Sequence, residues 1–201
     1  DVVRLLAPRA AAAGVALAVL AGAGPEPVML DPDAVHRCLM DLAVNAIEAF
    51  EDDGGAGELA SVSICDAARM DGSGDGVAEA APGESRRVVL RSRRVALPVP
   101  ADADAAAGEA GVTGIEYVVE DNGPGFPEQA GQGRQGSQGG QGHGGDATPD
   151  GFAAFVSAKP GGSGVGLMAT RKLAREMGGE LELGPALQGH GVRAVLRVRA
   201  G

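Results

Sequence analysis

Three short stretches hold residues that could do chemistry. The first is "EDNGPGF", residues 120–126, which ends an apolar run from Ile115 to Val119. Asp121 stands at the strand end and can accept a hydrogen bond from a ligand amino group. Gly123 and Gly125, two apart, let the chain turn tightly beneath a flat ring; an ordinary turn needs fewer flexible residues. The second is "DLAVNAIEAF", residues 41–50. Asn is a mediocre mid-helix residue because its amide competes for its own backbone. Asp41 lies one turn before Asn45, and an amide oxygen beside a carboxylate suits Mg2+, which takes oxygen ligands and keeps several waters. The third is "GGSGVGL", residues 161–167, which opens a helix. Its glycines let backbone N–H groups approach a ligand where the helix N-terminus favours anions, phosphate above all. No Lys-Ser/Thr pair follows, so it is not a Walker loop. Gly164, Gly166 and Ala169 fit a G-x-G-x-x-A spacing, but "AKPGGS" precedes them where a dinucleotide fold needs a buried strand. Each stretch alone also has an ordinary structural explanation: an Asx-type turn, a solvated helix face and a flexible helix entry.

The elements that must position these residues follow from periodicity. A helix is expected over 2–13, with Val3, Leu5, Leu6, Ala10 and Ala13 apolar, and a second over about 33–51. The second carries an apolar stripe of Val35, Leu39, Leu42, Ala46 and Phe50, with Cys38 and Ile47 beside it. Asp31 or Asp33 caps it, with Pro32 near its first position. Asp41, Asn45 and Glu48 form its polar stripe. A third helix spans about 165–177 and ends at Gly178-Gly179. Strands are expected at 15–20, 27–30, 59–64, 86–97, 114–120, 180–183 and 192–199, the first two forming a hairpin-like unit. This succession predicts a two-layer α/β sandwich, with a mixed, largely antiparallel sheet. Residues 66–85 and 98–111, rich in Ala, Gly and Asp, read as loop insertions with no core to bury. Residues 131–145 hold eight Gly and four Gln in fifteen positions and read as a mobile loop. Long loops of this kind inside a domain are often lids.

The totals set limits. The chain has 201 residues, enough for one domain with long insertions. Its net charge of −10 argues against binding a nucleic-acid backbone. Only 2% of residues are aromatic, so the core must be aliphatic. Cys38 and Cys65 show neither metal nor disulfide spacing and read as buried free thiols in a reducing compartment. The stretch 10–24 is too short and too rich in Gly and Ala to span a bilayer. Beginning at Asp1 rather than Met, the sequence reads as a fragment.

Taken together and in order, "DLAVNAIEAF", "EDNGPGF" and "FAAFVSAKPGGSGVGL" resemble the ATP-binding domain of sensor histidine kinases. That domain belongs to the superfamily shared with gyrase-type ATPases and heat-shock chaperones, and the resemblance runs from the strands at 15–30 to "GHGVRAVLRVR". It implies the α/β sandwich of that superfamily, known as the Bergerat fold, over residues 1–201, with helices on one face. It implies ATP and Mg2+ as ligands, with Asn45 on the metal and Asp121, Gly123 and Gly125 at the adenine. The second glycine box falls on Gly162, Ser163, Gly164, Val165, Gly166 and Leu167. Phe152 and Phe155 fall on the aromatic box, Lys159 on the usual lysine, and 126–160 on the ATP lid. Asp41 stands where many relatives carry Asn, His or Glu; Asp is one carbon shorter than Glu, which puts a general-base role in doubt.

The resemblance further implies a bacterial two-component phosphorelay. Its partners would be a dimerisation and histidine-phosphotransfer domain of the same parent and a response regulator receiver, with a homodimeric parent. The location would be cytoplasmic, with membrane anchoring of the parent left open. None of the chain's own histidines, His36, His143 and His190, sits in a dimerising two-helix segment. Two alternatives share the fold: an anti-sigma-type serine kinase and a degenerate nucleotide-sensing module.

Overall fold

The computed structural model describes residues 1–24, 26–51, 62–66, 86–98, 112–125, 165–187 and 190–200. Among the described residues there are three helices: α1 (Val2–Ala12), α2 (Pro32–Glu51) and α3 (Val165–Glu176). Among the same residues six strands form one sheet: β1 (Ala16–Gly22), β2 (Val62–Asp66), β3 (Arg87–Leu97), β4 (Val112–Asp121), β5 (Glu180–Pro185) and β6 (Val192–Arg199). The strand order is β2-β1-β3-β4-β6-β5. β1 pairs in parallel with β2 and β3, and the remaining three pairings are antiparallel. The mixed, mostly antiparallel sheet expected from the sequence is therefore present. The two proposed insertions beyond Asp66 and Pro98, and the tract 131–145, lie outside the described residues.

Strand alternation sorts the sheet into two faces. Leu17, Leu90, Ile115, Val119, Ala194, Leu196, Val198 and Leu181 share one core cluster with Val3, Leu6, Ala10, Val35, Cys38, Leu42, Ile47 and Phe50 of the helices. The helices thus cover one face, and the core is almost wholly aliphatic. On the opposite face Glu116, only 2% exposed, accepts from Arg93 Nε at 2.6 Å and Arg197 Nε at 2.8 Å. Arg197 also reaches Glu180 at 2.8 Å and Glu182 at 2.9 Å, so one arginine staples β4, β6 and β5.

Two expectations are corrected. Residues 27–30 form no strand, and β1 has no hairpin partner there; it takes β2 and β3 as parallel neighbours instead. Pro27 cannot donate to a ladder, and Val28 and Leu30 pack on the core from a loop. Leu5 is 60% exposed, because Val2 rather than Leu5 completes the buried face of α1 with Val3, Leu6 and Ala10.

Of the two possible caps for α2, Asp31 serves. Its Oδ1 accepts from the backbone N–H of Asp33 at 3.1 Å and of Ala34 at 3.0 Å, with Pro32 at the first helical position. This fixes where α2 starts, and hence which turns carry Asp41 and Asn45.

Candidate functional site

Asp121, a residue only 5% exposed, ends β4. Its Oδ1 accepts two backbone hydrogen bonds, from Gly123 N–H at 2.9 Å and from Val192 N–H at 3.2 Å. Among the described residues Oδ2 has no hydrogen-bond partner. Burial pushes the Asp121 carboxyl above its ordinary range, and the nearby Glu120 charge adds to this; the two N–H donors pull it back only in part. A buried carboxylate with one oxygen fixed by the backbone and the other free is prepared to accept a ligand donor.

The turn after Asp121 is held from three sides. Asn122 Oδ1 accepts from Arg87 N–H at 2.7 Å, and Asn122 N–H donates to Arg87 O at 3.3 Å, clamping the end of β4 to the start of β3. Gly125 has φ 77°, a left-handed conformation that favours glycine. Gly191, just before β6, has φ 104°, and a Cβ there would lie 1.9 Å from Asp121 O. The loop entering β6 therefore packs backbone to backbone against the Asp121 turn.

α2 joins this turn to α3. Near its C-terminal end Phe50 lies beside Gly123, about 3.5 Å from where a Cβ would stand. Nine residues earlier, about 13 Å along the axis, the Asp41 Oδ2 accepts from Thr170 Oγ1 of α3 at 3.3 Å. Asn45 stands between these two points, half-buried, with no side-chain hydrogen bond among the described residues. The third member of the polar stripe, Glu48, accepts instead from Arg9 Nη2 of α1 at 2.8 Å. Cys38 is a buried free thiol whose Sγ meets Thr170 O at 3.8 Å. Burial first, and then the Asp41 charge, push this thiol up to about 11, so it is inert at neutral pH.

Of the expected site residues, Asp41 and Asn45 lie on α2, Asp121, Gly123 and Gly125 lie at the end of β4, and Gly166 and Leu167 lie in the first turn of α3; Phe50 links α2 to the Asp121 turn, and Asp41 links it to α3. Val165 and Gly166 open α3, and Leu167 packs partly buried against the core. Phe152, Phe155, Lys159, Gly162, Ser163 and Gly164, with most of the lid, lie outside the described residues. Three contributors escaped the sequence reading: Gly191, Val192 and Thr170. Val192 acts through its backbone alone, which leaves no residue-type signal. Gly191 did leave one, as the second glycine of the "GHG" immediately before a strand. His190 lines a small cleft with Asp121, Glu120 and Arg91, at the β4 end of the site rather than at α3.

The donor set fits Mg2+. Asn45 and Asp41 offer a neutral and an anionic oxygen on successive turns of one helix face. Among the described residues no group of three or more His, Cys, Asp or Glu gathers to hold a metal. A cation here would complete its shell with phosphate oxygens and water, which is how Mg2+ is usually held.

The family of "Histidine kinase-, DNA gyrase B-, and HSP90-like ATPase" proteins matches residues 30–201. The chain belongs to this family. Solved structures agree on the fold. The catalytic domain of the histidine kinase ThkA, in a nucleotide-free form, superposes with a TM-score of 0.54 at 16% identity, covering 98% of this chain and 88% of that one. The mycobacterial sensor histidine kinase MprB gives 0.51 at 17%, covering 99% and 91%. Full-length ShkA in complex with AMPPNP gives 0.54 at 18%; it covers all of this chain, which spans only 28% of ShkA. Comparison with curated protein sequences gives no match. Among the described residues no helix is long and apolar enough to cross a membrane. The chain is an ATPase-family domain that resembles histidine kinase catalytic domains.

Proposed function

We propose that residues 1–201 are the catalytic ATP-binding domain of a bacterial two-component sensor histidine kinase, acting in the cytoplasm. The observation that supports this most is Asp121, buried at the strand end with Oδ1 tied to two backbone N–H groups and Oδ2 open. The adenine amino group donates to that oxygen, and Gly123 and Gly125 leave room for the ring. Asn45 would hold Mg2+, which when bound would supply charge neutralisation at the phosphates. The glycine box, Gly162 to Leu167, offers backbone N–H groups to the phosphates. Phe152, Phe155 and Lys159 serve the lid over 126–160.

Transfer is then mostly positioning and charge neutralisation. A histidine nitrogen forms the new bond to the γ-phosphorus as the bond to the β-bridging oxygen breaks and ADP leaves. That histidine belongs to a helical dimerisation and phosphotransfer domain of a homodimeric parent. The phosphoryl group passes from it to an aspartate of a receiver protein. The test is incubation with γ-labelled ATP and a separately supplied helical histidine domain. Acid-labile label on that domain, rising with its concentration, is expected. Acid-stable label on serine of a partner protein would instead favour an anti-sigma-type serine kinase. ATP binding without transfer to any partner would favour a nucleotide sensor.

A further inference from the structure

We propose that Thr170 is a positioning residue for Asp41, and through it for the metal end of the site; this rests on the Mg·ATP reading above. Thr170 is 1% exposed, yet it carries a hydroxyl. That hydroxyl lies 3.0 Å from Gly166 O and 3.3 Å from Asp41 Oδ2. The first contact is the usual return of a helical Thr to the carbonyl four residues back. The hydroxyl has a single proton, for which the two acceptors compete; the second, across from α3 to α2, is a carboxylate, to which a hydrogen bond is stronger than between neutral groups.

One side chain therefore links the first turn of α3, where Gly166 sits, to the turn of α2 that precedes Asn45. Thr170 O also meets Cys38 Sγ, so the same residue contacts α2 twice. With Oδ2 engaged, the Asp41 carboxylate has its rotation fixed, and Oδ1 has no partner among the described residues. Asp41 and Asn45 share a helix face at a four-residue spacing. The free oxygen is thus held where it can order a water on the ion that Asn45 binds. A short Asp needs such a tether, since its carboxylate cannot be placed by a longer stem. Outer partners that orient a metal site commonly matter about ten- to hundredfold in metal affinity.

The experiment titrates ATP binding against Mg2+ for wild type, Thr170→Val, Thr170→Ser, Asp41→Asn and Thr170→Val with Asp41→Asn. Val fills the same space without the hydroxyl. It is expected to raise the Mg2+ concentration for half-maximal gain in ATP affinity about tenfold. Affinity without metal should stay within about twofold of wild type. Ser should restore the wild-type Mg2+ dependence. Asp41→Asn should reproduce the defect with Thr170 intact, and adding Thr170→Val to it should change nothing further. Should Thr170→Val fail to fold, Ser and Asp41→Asn still decide the matter. An unchanged Mg2+ dependence in Thr170→Val, equal losses with and without metal, or a Ser variant as impaired as Val would each overturn the inference. Wild type that binds no Mg·ATP would overturn the underlying reading as well, which separates the two failures.

Discussion

The Val192 N–H donates to Asp121 Oδ1 at 3.2 Å, across 71 residues of sequence. This bond sets the rotation of a buried carboxylate from a strand that contributes no side chain to it. It makes the adenine end of the proposed site a product of the sheet, because β6 lies beside β4 throughout.

Asp121→Asn should separate stability from binding. Burial raises the Asp121 carboxyl, so its contribution to stability is fully present below the ordinary carboxylate range and is lost as pH rises through the folded-state value. At neutral pH the charge therefore costs stability that Asn does not. The variant's oxygen can still accept from Gly123 and Val192. The nucleotide-free variant should melt higher than wild type at pH 7, and the advantage should vanish on acidification. Its ATP affinity should fall about ten- to hundredfold, as expected for losing a charged acceptor worth about 1.5–3 kcal/mol. Melting curves across pH together with a binding titration check both halves.

Gly191→Ala should lose both. Its φ of 104° and the 1.9 Å approach of a Cβ to Asp121 O leave no space, and the obstacle is backbone that cannot rotate aside. A loss of about 2–4 kcal/mol in unfolding free energy is expected. Chemical denaturation measures it, and a stability within 0.5 kcal/mol of wild type would show that the turn is not built as described.

Much of this was legible because the motifs are local. Asp121, Gly123 and Gly125 occupy six consecutive positions with Glu120, and Asp41 and Asn45 share one helical face. All three expected helices and six of the seven expected strands have counterparts among the described residues, placed by period alone. The strand assigned to 27–30 failed because Val28 and Leu30 are apolar for packing, not for pairing. The parallel pairing of β1 with β3 was not legible either. It joins residues about seventy apart across a segment whose composition says little. Thr170 was hidden for a different reason: a Thr on a helix flanked by Arg and Ala has no sequence mark of burial. Only the packing of α3 on α2 brings its hydroxyl to Asp41.

Glu116→Gln should weaken the sheet's outer face. Burial alone would raise the Glu116 carboxyl, but hydrogen bonds from Arg93 and Arg197 outweigh it and hold it low. Its stabilisation is therefore present above about pH 4.5, the ordinary value, and is lost as pH falls through the folded-state value. Arg93 is 65% exposed and its share is screened, so Arg197, 24% exposed, carries most of the effect. A loss of about 1–3 kcal/mol at pH 7 is expected, narrowing in acid. Urea denaturation at pH 7 and pH 3 is the check.

The isolated chain should bind ATP and yet not phosphorylate its own histidines. In-line transfer needs a nucleophile about 3 Å from the γ-phosphorus. His36 is half-buried on α2, and His190 lies by the β4 end of the site, where the base rather than the phosphates would sit. Incubation with γ-labelled ATP should leave less than stoichiometric acid-labile label, and a stoichiometric yield would point to one of the chain's three histidines, His36, His143 or His190.

The most direct measurement is calorimetric titration of ATP, with and without Mg2+, into wild type, Asp121→Ala and Asn45→Ala. Wild type should bind in both conditions, more tightly with metal. Asp121→Ala should lose affinity about ten- to hundredfold in both. Asn45→Ala should lose the gain from Mg2+ and keep metal-free binding near wild type. ATP binding at wild-type strength by Asp121→Ala, or equal losses in Asn45→Ala with and without metal, would contradict the site as assigned.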